Sequence, residues 1–153
     1  MSIKEKLSAL GLTLPTAAAP VAAYVPAVKS GNLVFTAGQL PVVDGKLVKE
    51  GKVGREVTAD DAKELAQICA LNALAAISLV ADLDQVERVV RVGGFVNCAP
   101  GFTAIPGVVN GASEFLIKVF GDVNGKHART AVGVAELPLN APVEIELIVQ
   151  LKN

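Results

Sequence analysis

Two side chains near the C-terminus could handle a small anionic molecule: Arg129 and Glu144. A guanidinium offers parallel N–H donors that match the two oxygens of a carboxylate. A glutamate within reach of the bound molecule can move a proton or orient a water. Arg129 opens the penultimate expected strand and Glu144 opens the last. If those strands pair as neighbours, the two side chains meet near one end of a sheet. The same spacing suits an Arg–Glu ion pair that merely ties two strands together, and on spacing alone that is the commoner arrangement.

Other chemistries are poorly served. No glycine-rich phosphate loop joins a strand to a helix, and no Gly-x-Ser-x-Gly elbow occurs. The single histidine, His127, stands just before a strand with no acid or nucleophile at a useful spacing, and reads as a surface or turn residue. Cys69 and Cys98 lie far apart without metal-ligand spacing, and with one His the chain cannot make a His-rich metal site. Cys69 falls on an apolar stripe, as a small buried residue would. Both thiols read as reduced, which points to the cytoplasm. A net charge of -1, a pI near 5.8 and 4% aromatic residues give nucleic acid neither a basic field nor a stacking platform. The most apolar stretch, residues 68–81, contains Asn72 and Ser78 and falls short of the roughly 20 apolar residues that span a bilayer. No membrane partner is expected. Lys4, Glu5 and Lys6 precede any apolar run, so the N-terminus reads as a short amphipathic helix and not a signal peptide.

The elements that must position Arg129 and Glu144 are legible in the patterning. With 153 residues, 52% hydrophobic and 19% charged, the chain suits one domain over residues 1–153. It lacks Trp, so its core must rest on Val, Leu, Ile and Ala. Residues 1–23 form an N-terminal helical extension, in which 14–23 is an extended lead-in set by Pro15 and Pro20. Residues 24–29 and 33–37 flank Ser30-Gly31-Asn32 and predict a hairpin. Residues 38–57 read as a loop with a short hairpin at Asp44-Gly45. Thr58 caps a helix whose buried stripe is Ala62, Leu65, Ala66, Cys69, Ala73, Ala76 and Val80. Residues 86–97 predict a strand in which Gly93-Gly94 marks a bulge or a close backbone approach. After a loop over 98–106, a stripe from Val108 to Phe120 predicts a second long helix, stopped by Gly121. Strands over 130–136 and 143–151 flank a turn with two prolines.

The order is ββαβαββ. Each long helix joins two strands, which invites right-handed crossovers, a mixed sheet and both helices on one face. Nothing in the sequence covers the opposite face, where Val132, Val134 and Ile148 would lie. An uncovered apolar face calls for another copy of the chain.

The run His127-Ala128-Arg129-Thr130-Ala131-Val132-Gly133-Val134-Ala135-Glu136-Leu137-Pro138, followed by Val143-Glu144-Ile145-Glu146, resembles the C-terminal signature of the RidA/YjgF family. Tyr24 ahead of Gly31-Asn32, and Thr36-Ala37-Gly38-Gln39-Leu40-Pro41, resemble the family's upstream motifs. Val109-Asn110 resembles the opening of its second long helix. The match keeps its order from about Tyr24 to Leu151. It implies a chorismate-mutase-like α/β (α+β) fold. It also implies a homotrimer with its sheets in a central barrel and sites in the clefts between subunits.

The implied activity is cofactor-free hydrolysis of 2-aminoacrylate-type enamines and imines to 2-keto acids and ammonia. The partners would be a small carboxylated imine, enamine or keto acid. By the same match Arg129 grips the carboxylate, Glu144 positions water or moves a proton, and Tyr24, Gly38 and Asn110 line the cleft. The family often has Cys where this chain has Ala131, and commonly Glu where it has Gly133. The longer segment over 95–107 and the extra N-terminal helix resemble a subgroup often labelled endoribonuclease. A non-catalytic trimer that binds small acids or a protein partner is the main alternative. Endoribonuclease activity is the third, with little in the composition for RNA to hold.

Overall fold

Local signals set most of the elements. The computed structural model describes residues 1–20 and 22–153; residue 21, inside the extended lead-in, lies outside the described residues. Helix α1 (Ile3–Ala9) begins in a capping box. The Ser2 side chain accepts from Glu5 N, the Glu5 carboxylate accepts from Ser2 N, and Ile3 and Leu7 are buried beneath. Strands β1 (Ala27–Ser30) and β2 (Leu33–Thr36) form the expected hairpin around Gly31-Asn32. Strands β3 (Val42–Val43) and β4 (Lys46–Leu47) form a second, tiny one, with Asp44 and Gly45 both at positive φ (51° and 77°). Helix α2 (Ala59–Ile77) starts where the Thr58 hydroxyl accepts from Asp61 N at 3.1 Å.

Strand β5 spans Val86–Asn97, and its register shifts fall at Val86/Arg88 and Val89/Arg91, ahead of Gly93-Gly94. The two glycines serve close approach instead of a bulge. A Cβ on Gly93 would come within 2.7 Å of the Glu146 side chain, and one on Gly94 within 2.5 Å of Val109. Helix α3 (Ile105–Asn124) begins earlier than the apolar stripe and earlier than Val109-Asn110. Pro106 is the reason: it sits in the first turn, where its missing N–H costs no helical bond. Gly121 does leave helical geometry (φ 88°), yet the chain takes one more turn before Gly125. Strands β6 (Ala128–Val134) and β7 (Val143–Leu151) complete the fold.

The five-stranded sheet has the order β1-β2-β7-β5-β6, with β5 and β6 parallel and every other pair antiparallel. This corrects the expectation that β6 and β7 are neighbours. The α3 crossover sets β6 on the outer side of β5, as a parallel pair requires. The turn with its two prolines then carries the chain past β5, and β7 inserts between β5 and β2.

Helices α2 and α3 cover one face of this mixed α+β sheet. Val143, Ile145, Leu147, Val149 and Leu151 of β7 are buried there with Val34, Val89, Val92 and Val96. The other face carries Val28, Phe35 and Val132, which are 51%, 40% and 39% exposed, together with the half-buried Val134 and Ile148. Among the described residues no helix is long and apolar enough to cross a membrane.

The two long helices meet at Gly111, where an added Cβ would lie 1.8 Å from the Lys63 carbonyl oxygen. That neighbour is backbone within α2 and cannot swing aside. Gly111→Ala is therefore expected to cost about 2–3 kcal/mol by overpacking. Gly107→Ala, with nothing within 4 Å of the new methyl, should be neutral or stabilising. Thermal melts of the two variants check the contrast.

Candidate active site

Arg129 lies on the edge strand β6, level with Val92 of β5. Parallel neighbours in register point the same way, so Arg129 shares the helix-covered face with buried Val92. Its guanidinium reaches the first turns of α3. Nη1 donates to Asn110 Oδ1 at 2.7 Å and to Ser113 Oγ at 3.2 Å, and Nη2 donates to the Pro106 carbonyl at 3.4 Å. Pro106, Asn110 and Ser113 follow at spacings of four and three, which puts them on one side of the helix. These bonds occupy three of the five guanidinium N–H donors. The Nε–H and one Nη2–H have no protein partner among the described residues. All three acceptors are neutral, so this half-buried cation keeps its full charge for an incoming anion.

Ala131 and Gly133 continue along the same face of β6. A Cβ at Gly133 would meet Cys98 Sγ and Ile105 Cδ1, each at 3.0 Å. Those two residues bracket the loop into α3, so a glycine at 133 leaves room for that loop beside β6.

Glu144 sits on the other face. Its chain neighbours Val143 and Ile145 point into the helix-covered core, and alternation sends Glu144 the opposite way, level with Phe95. It is half-buried against Gly38, where a Cβ would come within 2.1 Å of Glu144 Oε1. Glycine at 38 thus makes the space that the carboxylate occupies. Burial pushes the Glu144 carboxyl above the usual carboxylate range, and the charge of Glu146 two residues on adds to the rise.

The expected site residues thus fall into two groups. Arg129 and Asn110 are joined by a hydrogen bond on one face, and Glu144 and Gly38 touch on the other. Tyr24 is 49% exposed. It belongs with the second group by position, because Ala37 N donates to the Pro26 carbonyl at 2.8 Å and brings the Tyr24 segment in beside Gly38. The Arg129–Glu144 proximity and ion pair do not occur within the chain; strand β5 and the sheet itself separate them. Neither residue forms a salt bridge among the described residues.

Two residues join the site that sequence reasoning did not place there. Ser113 stands one helical turn beyond Asn110, a spacing that could have been read. His127 is corrected from a surface or turn residue to a half-buried link. Its Nε2 lies 2.9 Å from Ser113 Oγ and its Nδ1 2.6 Å from the Gly125 carbonyl. Burial lowers its pKa below the ordinary histidine value; the bond to Gly125 opposes this, and the charge of Arg129 adds to it.

Because the fold raises the Glu144 pKa, the folded state holds this proton more tightly than the unfolded chain. Stability then falls as pH rises through the interval between the unfolded and folded values. Glu144→Gln removes that loss. The variant is expected to melt no lower than the parent at pH 7 and to show a smaller difference, or none, near pH 4. Melting curves at both pH values check this.

Comparison with known proteins bears on the family and the fold. A family model described as "YjgF/chorismate mutase-like, putative endoribonuclease" matches residues 4–151. Protein TCP17 of Trypanosoma cruzi is 42% identical over 152 residues, covering 99% of this chain and 95% of that protein. A Dermatophagoides farinae protein named 2-iminobutanoate/2-iminopropanoate deaminase is 33% identical over 141 residues, covering 92% and 95%. The crystal structure of Atu1372 from Agrobacterium tumefaciens, titled as of unknown function, matches with a TM-score of 0.88 at 44% identity. The match covers 98% of this chain and 92% of that one.

Proposed function

This chain belongs to the YjgF/chorismate-mutase-like family, and from that premise we propose that it hydrolyses small 2-imino acids, or the enamines that tautomerise to them, to 2-keto acids and ammonia. The observation that carries this reading is the Arg129 guanidinium, fixed by three neutral acceptors with two N–H donors to spare. A substrate carboxylate would take those donors as charge-assisted bonds. The adjacent imine carbon is then held for attack. Glu144 accepts a proton from the attacking water and returns one to the departing nitrogen, so that imine and water become ketone and ammonia. A carboxyl held above the usual carboxylate range gives up its proton less readily to water, which suits a group that must hold a proton and pass it to the leaving nitrogen.

In this reading the two faces of the sheet supply different halves of the site. Arg129 and Asn110 of one protomer face Glu144, Gly38 and Tyr24 of another. The apolar face with Val28, Phe35 and Val132 is the surface on which protomers assemble, as a homotrimer. Ala131 in place of the family's cysteine removes a thiol that these steps do not use. Both cysteines are free, which suits a reducing, cytoplasmic setting.

Arg129→Ala is expected to lower hydrolysis of freshly generated amino-acid imines by about a hundredfold or more, since a charge-assisted pair to the substrate is lost. The oligomer should persist in sedimentation. Unchanged turnover would overturn the assignment. A 2-keto acid that binds through Arg129 with no imine turnover in the parent would make the protein a binder instead.

A further inference from the structure

We propose that His127 is a positioning residue: acting through Ser113, it fixes the direction in which Arg129 presents its spare N–H donors. The inference rests on the reading of Arg129 as the carboxylate site. Hydrogen-bond polarity along the chain of contacts is decided at both ends. The Gly125 carbonyl can only accept, so the proton on the imidazole sits at Nδ1, 2.6 Å away. The Arg129 Nη1 can only donate, so Ser113 Oγ, 3.2 Å away, accepts from it. One serine proton remains, and the histidine Nε2 lies 2.9 Å from the same oxygen. In the neutral ring Nε2 carries a lone pair and takes that proton. Arginine donates to serine, serine donates to histidine, and histidine donates to a backbone carbonyl. Every link is satisfied in one direction, and a serine whose own proton is engaged is the better acceptor for arginine.

The far end of this relay is rigid. A Cβ at Gly125 would lie 2.6 Å from Ile117 Cα and 2.7 Å from the Gly121 oxygen, so the chain reverses there against backbone. Gly125 N donates to the Gly121 carbonyl at 2.8 Å. The carbonyl that holds His127 is thus part of the helix terminus and not of a free loop. Burial and the nearby guanidinium disfavour the charged ring against the opposing bond to Gly125, and the relay uses the neutral form. Without His127 the Ser113 hydroxyl can rotate to other acceptors, and Arg129 keeps Asn110 and Pro106 while its bond to Ser113, which sets its tilt, weakens. His127 is too far removed, by two hydrogen bonds, to touch the reacting carbon, so its loss falls on substrate binding and spares the chemical step.

The test is a set of variants in the intact oligomer, read by calorimetric binding of pyruvate and by steady-state imine hydrolysis. His127→Phe and Ser113→Ala should each raise the pyruvate Kd and the substrate KM about five- to tenfold, with kcat within about twofold. His127→Gln, whose amide oxygen can accept the serine proton, should stay within about twofold of the parent. The double variant should bind no worse than Ser113→Ala alone, because the two residues act through one link. Ser113→Ala carries the same prediction should the bulkier ring upset the fold. Parent-like affinity in His127→Phe and Ser113→Ala, or additive losses in the double variant, would overturn the proposal. Arg129→Ala run in parallel separates the failures. If it loses pyruvate while the other variants keep it, only the positioning role falls. If it too keeps pyruvate, the carboxylate site is elsewhere and the positioning role falls with it.

Discussion

Strict alternation along β-strands is the constraint on which this molecule turns. Arg129 points with Val92 toward the helices, and Glu144 points away from Val143 and Ile145 toward the bare face. No side-chain rotation can bring them together across a hydrogen-bonded sheet. Each chain therefore carries a cationic cluster built from β6 and α3, and an acidic cluster built from β7 and the loop at Gly38. Within the chain, the guanidinium has only neutral acceptors among the described residues, which leaves its charge available to an anion.

Close packing at glycines tunes both halves. Gly38 and Gly93 clear space for Glu144 and Glu146, so that two carboxylates stand on one face of one strand. Burial of Glu144, and the charge of Glu146 beside it, push the Glu144 carboxyl above the usual carboxylate range. Gly133 yields its space to Cys98 and Ile105, so the longer approach to α3 sits beside Arg129 without displacing it. Ala131 and Gly133 thus put little side chain next to the guanidinium, while Asn110 and Ser113 hold it from the helix.

Features encoded by neighbours in sequence were readable. The capping residues Ser2 and Thr58, the turns at Gly31-Asn32 and Asp44-Gly45, and the strands Val86–Asn97 and Val143–Leu151 all follow local rules. Strand order was not readable, because nothing in the 137–142 turn says on which side of β5 the chain will return. The start of α3 was hidden because a proline suits both a loop and a first helical turn. The Ser113–His127 bond spans a helix end, and fourteen positions of sequence separate its partners; no periodicity reports such a contact. Arg129 and Glu144 could be named as chemically able residues from type alone, but their opposite faces emerge only when the edge position of β6 is known.

Subunit complementation tests the two-face site most directly. Arg129→Ala and Glu144→Gln chains are each expected to be inactive, and the measurement is imine hydrolysis after the two are co-assembled in equal amounts. If protomers close a ring as proposed, each cleft draws one half from each of two neighbours. Random mixing then gives about a quarter of the clefts an intact Arg129 from one chain and an intact Glu144 from the next, by the same ring symmetry. Recovery of roughly that share of parental activity is the predicted result. Mixed assemblies as inactive as either variant alone would show that both residues serve one site within a single chain, and would contradict the account.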